Sequence, residues 1–105
     1  MENPWAGEVS VTLDGTPHRC KLTLGVLAEL EAALGSESLL SLITRFEEGR
    51  FSSADVLSVI VAGLRGGGWQ GDTAELLRVD IAGGPIAAAQ AAALLLARAF
   101  SGPQS

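Results

Sequence analysis

The chain has 105 residues, 48% of them hydrophobic and 18% charged, with a formal net charge of −5. That length fits one domain over residues 1–105 with a modest core, and the apolar content excludes disorder along the whole chain. The acidic balance argues against unaided binding to nucleic acid or to an anionic membrane surface. The seven basic residues, Arg19, Lys21, Arg45, Arg50, Arg65, Arg78 and Arg98, are scattered and form no patch in the sequence.

Cys20 is the only cysteine, so no intramolecular disulfide can form, and a lone thiol suits a reducing compartment. No signal-peptide pattern follows the start Met-Glu-Asn-Pro-Trp. The longest strongly apolar stretch, Pro85 to Ala97, contains Gln90, is followed by Arg98, and is too short and alanine-rich for a membrane span. A cytoplasmic location is therefore expected, with no membrane and no nucleic acid among the partners.

A β-hairpin comes first, over about residues 7–24. Val9, Val11 and Leu13 alternate with Ser10 and Thr12, and Cys20, Leu22 and Leu24 alternate with Arg19, Lys21 and Thr23. Asp14-Gly15 supplies the turn, because both positions tolerate positive φ. Pro17 is expected to shorten the ladder or lengthen the turn. Two strands are not stable alone, so their apolar face must pack on the rest of the chain.

Helical patterning fills about residues 24–100. Helix one carries Leu27, Leu30 and Leu34 and stops at Gly35. Helix two starts near Ser36 or Ser38, buries Leu39, Leu42, Ile43 and Phe46, and ends at Gly49. Ser52-Ser53-Ala54-Asp55 resembles a capping box, with Phe51 placed to staple onto Val56. Helix three then buries Val56, Leu57, Ile60, Val61 and Leu64 until Gly66-Gly67-Gly68, which breaks the helix and is the one candidate hinge. A short helix four is capped by Asp72, with Glu75 three residues on, and carries Leu76 and Leu77. Helix five opens at Gly83-Gly84-Pro85, with proline at its first position, and runs to about Phe100. Residues 101–105 are expected to fray. The fold class is α+β, an N-terminal hairpin packed on about five α-helices.

Catalysis is poorly supported. His18 and Cys20 lie near a solvent-facing turn with no activating pocket in view, and one histidine with one cysteine cannot build a usual zinc site. The run from Gly63 to Trp69 lacks the lysine and Ser/Thr of a phosphate loop and comes after a helix instead of a strand. Glu29 with Glu31, and Glu47 with Glu48, read as solvated helix edges. No catalytic residue, metal ligand or cofactor site is expected.

Helix five is the unusual element, being apolar all round. Ile86, Ala89, Ala93, Leu96 and Phe100 form a seam sufficient for burial against the rest of the chain. The opposite side carries Ala88, Ala91, Ala92, Leu95 and Ala99. A helix apolar all round is buried on both sides, and the second side has two options, the protein's own hairpin or another chain. Ala88, Ala91, Leu95 and Ala99 are thus candidate protein-binding residues. Trp5 and Trp69, in loop-like segments, join them as either core plugs or binding anchors.

Three stretches carry a family resemblance. They are Asn3-Pro4-Trp5-Ala6-Gly7-Glu8 leading into the hairpin, Leu22-Thr23-Leu24-Gly25-Val26-Leu27-Ala28-Glu29-Leu30-Glu31 into helix one, and Val61-Ala62-Gly63-Leu64-Arg65-Gly66-Gly67-Gly68 closing helix three. In this order they resemble the small tail protein of gene transfer agent and related prophage clusters, a tail assembly chaperone, over roughly residues 3 to 100. The resemblance implies a bacterial cytoplasmic assembly factor that binds the tape measure protein, or another tail protein, until tube subunits polymerise around it. It supplies no catalytic residues. The alternative within the same setting is a structural tail component, a tube or tube-end protein retained in the particle. A small regulatory DNA-binding protein is a third reading, disfavoured by charge. A homo-oligomer is also left open.

Overall fold

The structure, a computed structural model, describes residues 8–100. Trp5 and the expected frayed tail at 101–105 lie outside the described residues. Strand β1 (Glu8–Leu13) and strand β2 (Thr16–Lys21) form one antiparallel pair, closed by Asp14 and Gly15 at φ 48° and 83°. Positive φ at both central residues matches the right-handed twist of the flanking strands.

Pro17 does not lengthen the turn. It sits within β2 opposite Thr12. In a two-residue hairpin the closing pair, Leu13 with Thr16, exchanges hydrogen bonds, and the next pair does not. The N–H that Pro17 lacks would have pointed away from β1, so the ladder loses nothing.

Val9, Val11, Leu13 and Cys20 share the buried face, and Leu22 continues it beyond the strand. Leu24 does not join them; it is 85% exposed. The alternation ends because Thr23 leaves the strand to cap α1 (Leu24–Ala33), its hydroxyl accepting the Val26 N–H at 3.3 Å. Leu24 is then the first helical residue and points to solvent.

Local capping chemistry starts the next three helices as well. Ser38 caps α2 (Leu39–Glu47) and Asp72 caps α4 (Thr73–Leu76). Ser52 and Asp55 form a reciprocal capping box at the start of α3 (Ser53–Gly66). The last helix, α5, spans Gly84–Phe100.

Helix α3 is the centre of the fold, touching β2, α1, α4 and α5. Val59, Ile60, Ala62, Gly63 and Leu64 are buried, whereas Val56, Leu57 and Val61 are only half-buried. The buried face is thus broader than the pattern from Val56 to Leu64 suggested, because neighbours lie on several sides.

The glycine run is a close-packing device and not a hinge. A Cβ on Gly66 would lie 1.8 Å from the Lys21 carbonyl oxygen, and one on Gly67 would lie 1.8 Å from that of Arg19. Only glycine lets the end of α3 approach the outer edge of β2 so closely.

The outer edge of β1 is covered too. The Asp14 N–H donates to the Asp80 carbonyl at 2.8 Å, the Asp80 N–H to Asp14 Oδ1 at 2.9 Å, and the Ala82 N–H to the Thr12 carbonyl at 3.0 Å. Leu13 and Ile81 form an antiparallel bridge. At the other end of β1, Arg98 Nη1 donates to the Glu8 carbonyl. Segments far along the chain therefore occupy edges that would otherwise invite strand addition.

Candidate protein-binding site

Helix α5 buries Leu96 of the seam that its spacing first suggests but turns the two ends of that seam, Ile86 and Phe100, to solvent. Ala88, Ala92, Leu95 and Leu96 are buried, with Leu95 and Ala92 at zero exposure. Ile86 is 73% exposed and Phe100 is 46% exposed. The cause lies on α3. Leu95 fills the space that Gly63 leaves empty, so close that a Cβ on Gly63 would sit 2.7 Å from Leu95 Cδ1. Leucine against glycine gives a better fit there than any alanine of the other side.

Leu95 is therefore a core residue of the folded chain and not a free contact residue, and Ala88 is buried at 5% exposure. Ala91 and Ala99 are half-buried and pack against the same core. Trp69 is half-buried as well, closing over Gly71, where a Cβ would meet the indole at 2.2 Å. A cleft beside it is lined by Val26, Glu29, Arg65 and Gln70, none of them from α5. Trp69 packs against the shared core and lines a cleft to which α5 contributes no residue, and Trp5 lies outside the described residues.

What α5 shows to solvent is Pro85, Ile86, Gln90, Leu94, Ala97, Arg98 and Phe100, with Ala93 half-exposed between them. No Asp or Glu occurs anywhere in the helix. Other exposed large apolar side chains, Leu24, Leu40 and Leu77, are scattered over separate parts of the surface and need no special account.

An open groove of about 480 Å³ runs between the N-terminal halves of α3 and α5, lined on the α5 side by Gly84, Pro85, Ala88 and Ala89 and not by Ile86. Val56, Leu57, Val79, Ile81, Pro85 and Ala88 line it, together with Phe51 at the α3 end. Phe51 is held there by a stack on Phe46, with ring centroids 4.6 Å apart and planes within 7°. The two helices meet tightly at Gly63 and Leu95 and diverge toward their starts, which opens the groove. Of the groove residues only Ala88 is among the candidate protein-binding residues, and of the solvent-facing residues of α5 none is, Ile86 and Phe100 being expected in the buried seam. Val79, in the bend after α4, and Ile81, bridged to Leu13, form one wall.

Cys20 is completely buried, and burial pushes its thiol up to about 12, so no thiolate forms at neutral pH. His18 lies in β2 opposite Val11, not in the turn, and is half-buried on the same face as Cys20. Among the described residues no group of three or more His, Cys, Asp or Glu side chains is arranged to hold a metal. No described helix is long and apolar enough to cross a membrane.

The model of a family described as phage tail tube protein, GTA-gp10, which carries the tail assembly chaperone name, matches residues 6–102. No curated protein and no solved structure matches the chain. With nearly its whole length matched, the chain belongs to the GTA-gp10 family of phage tail proteins.

Proposed function

We propose that this protein is a non-enzymatic tail assembly chaperone that binds a helical tail component, the tape measure protein foremost, through the outer face of α5. The observation that carries this reading is the exposure of Ile86, Leu94 and Phe100 along one helix that bears no carboxylate. A client helix with apolar residues three and four apart can lie along such a face. The stripe is shallow, with small Ala93 and Ala97 between isolated large side chains, which suits a contact that growing tube subunits must displace.

The words "tail tube protein" in the family description favour a second reading, a tube component retained in the particle. Mass spectrometry of purified particles separates the two. A chaperone is present in assembling cells and absent from finished particles. Retention at a fixed copy number relative to the tube would replace the chaperone reading with the structural one.

A further inference from the structure

We propose that the groove between the N-terminal halves of α3 and α5 is a second docking site, separate from the outer face of α5, for a segment of another protein that carries large apolar side chains beside a lysine or arginine.

The groove and the outer face lie on different sides of α5. Ala88 and Ala89 line the groove, and Ala88 belongs with Ala92 and Leu95 to the buried side of the helix. Ile86, Gln90 and Leu94 are exposed and do not line it. The groove thus continues the contact of α3 with α5. Near the middle of α3 that contact is closed, because Leu95 fills the space beside Gly63. Toward the helix starts α5 offers only alanines, which are too short to fill the widening gap. Phe51, Val56, Leu57, Val79 and Ile81 are left half-buried around it. Large apolar side chains gathered round one groove mark a binding surface, as scattered ones do not. Its 480 Å³ lies within the roughly 300–1,000 Å³ of clefts that hold ligands. Being open, it admits a chain that continues past both ends.

Charge selects the occupant. Among the described residues that line the groove, Asp80 alone is ionisable, and it is exposed. The Asp80 N–H donates to Asp14 Oδ1 at 2.9 Å, which brings a second carboxylate beside the first. Neither carboxylate belongs to the ion pairs of the described residues. The starts of α3 and α5 oppose them with only about half a positive charge each. Asp55 in the first turn of α3 offsets part of that. The balance at the Asp80 end is negative. A cationic side chain is drawn there while its apolar neighbours enter the groove. An acidic segment is repelled, and so is a second copy of this chain, whose net charge is −5.

The test is a nuclear magnetic resonance titration of the labelled full chain with capped peptides at millimolar concentration. One peptide carries two leucines and a lysine, a second has glutamate for the lysine, and a third has alanines for the leucines. The lysine–leucine peptide should shift the amide signals of Val56, Leu57 and Ile81 and leave those of Leu94 and Ala97 in place. The other two should bind several-fold more weakly. Asp80→Asn keeps the backbone bond to Asp14 and should weaken binding several-fold, with less dependence on salt. Ala89→Leu fills the groove and should abolish the shifts while the protein still melts cooperatively. Equal binding of the lysine and glutamate peptides overturns the proposal, as does unchanged binding by Asp80→Asn or the lack of any shift at the groove. Groove signals that move with protein concentration alone would give the groove to a second copy. Contacts of the Trp5 indole with Val56 or Leu57 would give it to the chain's own N-terminal segment. Either result overturns the proposal. Ile86→Glu should bind the lysine–leucine peptide as wild type does, so its loss of tape measure capture leaves the groove standing. A peptide that shifts Leu94 and Ala97 instead overturns the groove and leaves the outer face of α5 as the docking surface.

Discussion

Gly63 and Leu95 fit as an empty site and its filler: the space of a missing Cβ on α3 is taken by the isobutyl group of α5, which has no exposed surface. This contact fixes which way α5 faces and therefore which of its residues remain outside. Leu95→Ala should cost about 2–5 kcal/mol, the range for emptying a packed leucine site. Urea or thermal melting reads it directly. A loss below about 1 kcal/mol, the level of surface changes, would mean that Leu95 is not the lock between α3 and α5.

Gly66 and Gly67 provide a second test of packing. A Cβ at either position meets a backbone carbonyl oxygen, which cannot rotate away as a side-chain tip can. Gly66→Ala and Gly67→Ala should each destabilise by several kcal/mol, on the order of 3. Gly25→Ala is the matched contrast. Its Cβ would meet nothing nearer than Thr23 Oγ1 at 3.9 Å, in an exposed first turn. That change should stabilise by up to ~1 kcal/mol through helix propensity. Equal melting temperatures for all three variants would show that the α3 end is not pinned to β2.

Asp55 ties two helices together and makes stability depend on acid. Its carboxylate accepts from Arg45 Nε at 3.1 Å and Nη2 at 3.0 Å, and from the Ser52 N–H at 2.9 Å. Partial burial pushes its pKa up, but the Arg45 and Ser52 hydrogen bonds and the Arg45 charge outweigh that, leaving it below the ordinary value of 3.8. A depressed folded pKa gives stability that is present above the unfolded value and lost as pH falls through the folded one. Melting temperature should therefore decline below about pH 4, where free aspartate begins to protonate. Asp55→Asn should lower stability at neutral pH and flatten that decline. An unchanged acid limb in the variant would assign the loss to other carboxylates.

Asp14 joins the hairpin turn to the segment before α5. Its side chain accepts the Asp80 N–H at 2.9 Å, and its φ of 48° is one that asparagine also tolerates. Asp14→Asn should melt close to wild type. Asp14→Ala should lose about 1 kcal/mol or more, from the missing bond and the left-handed backbone. Identical melting for the two would show that the Asp14–Asp80 link contributes nothing.

The features legible in the sequence were local. The alternation around Asp14-Gly15 placed the hairpin, and Ser38, Ser52 with Asp55, and Asp72 placed helix starts, because each signal acts within four residues. The orientation of α5 was not legible. Both of its sides are apolar, and the residue that chooses between them, Gly63, lies on another helix. The glycine run was readable as a helix stop, but its close approach to the Arg19 and Lys21 carbonyls depends on a strand more than forty residues earlier. The same holds for the edge cover supplied by Asp80 and Ala82. The candidate surface thus moved from Leu95 to Ile86, Leu94 and Phe100 on one non-local contact.

The proposed function resides in the outer face of α5, and capture of the tape measure protein by Ile86→Glu tests it most directly. Ile86 is 73% exposed in the first turn of a helix that has no acidic residue there. A glutamate at this position suits both helix propensity and the helix dipole, so the fold should be unharmed. Melting should match wild type within about 0.5 kcal/mol, as for surface changes generally. Affinity for the tape measure protein, measured by titration calorimetry or by co-purification from cells expressing both, should fall at least roughly ten-fold, a loss of about 1.4 kcal/mol. A folded Ile86→Glu protein that binds the tape measure protein as tightly as wild type would contradict a client-binding role for this face.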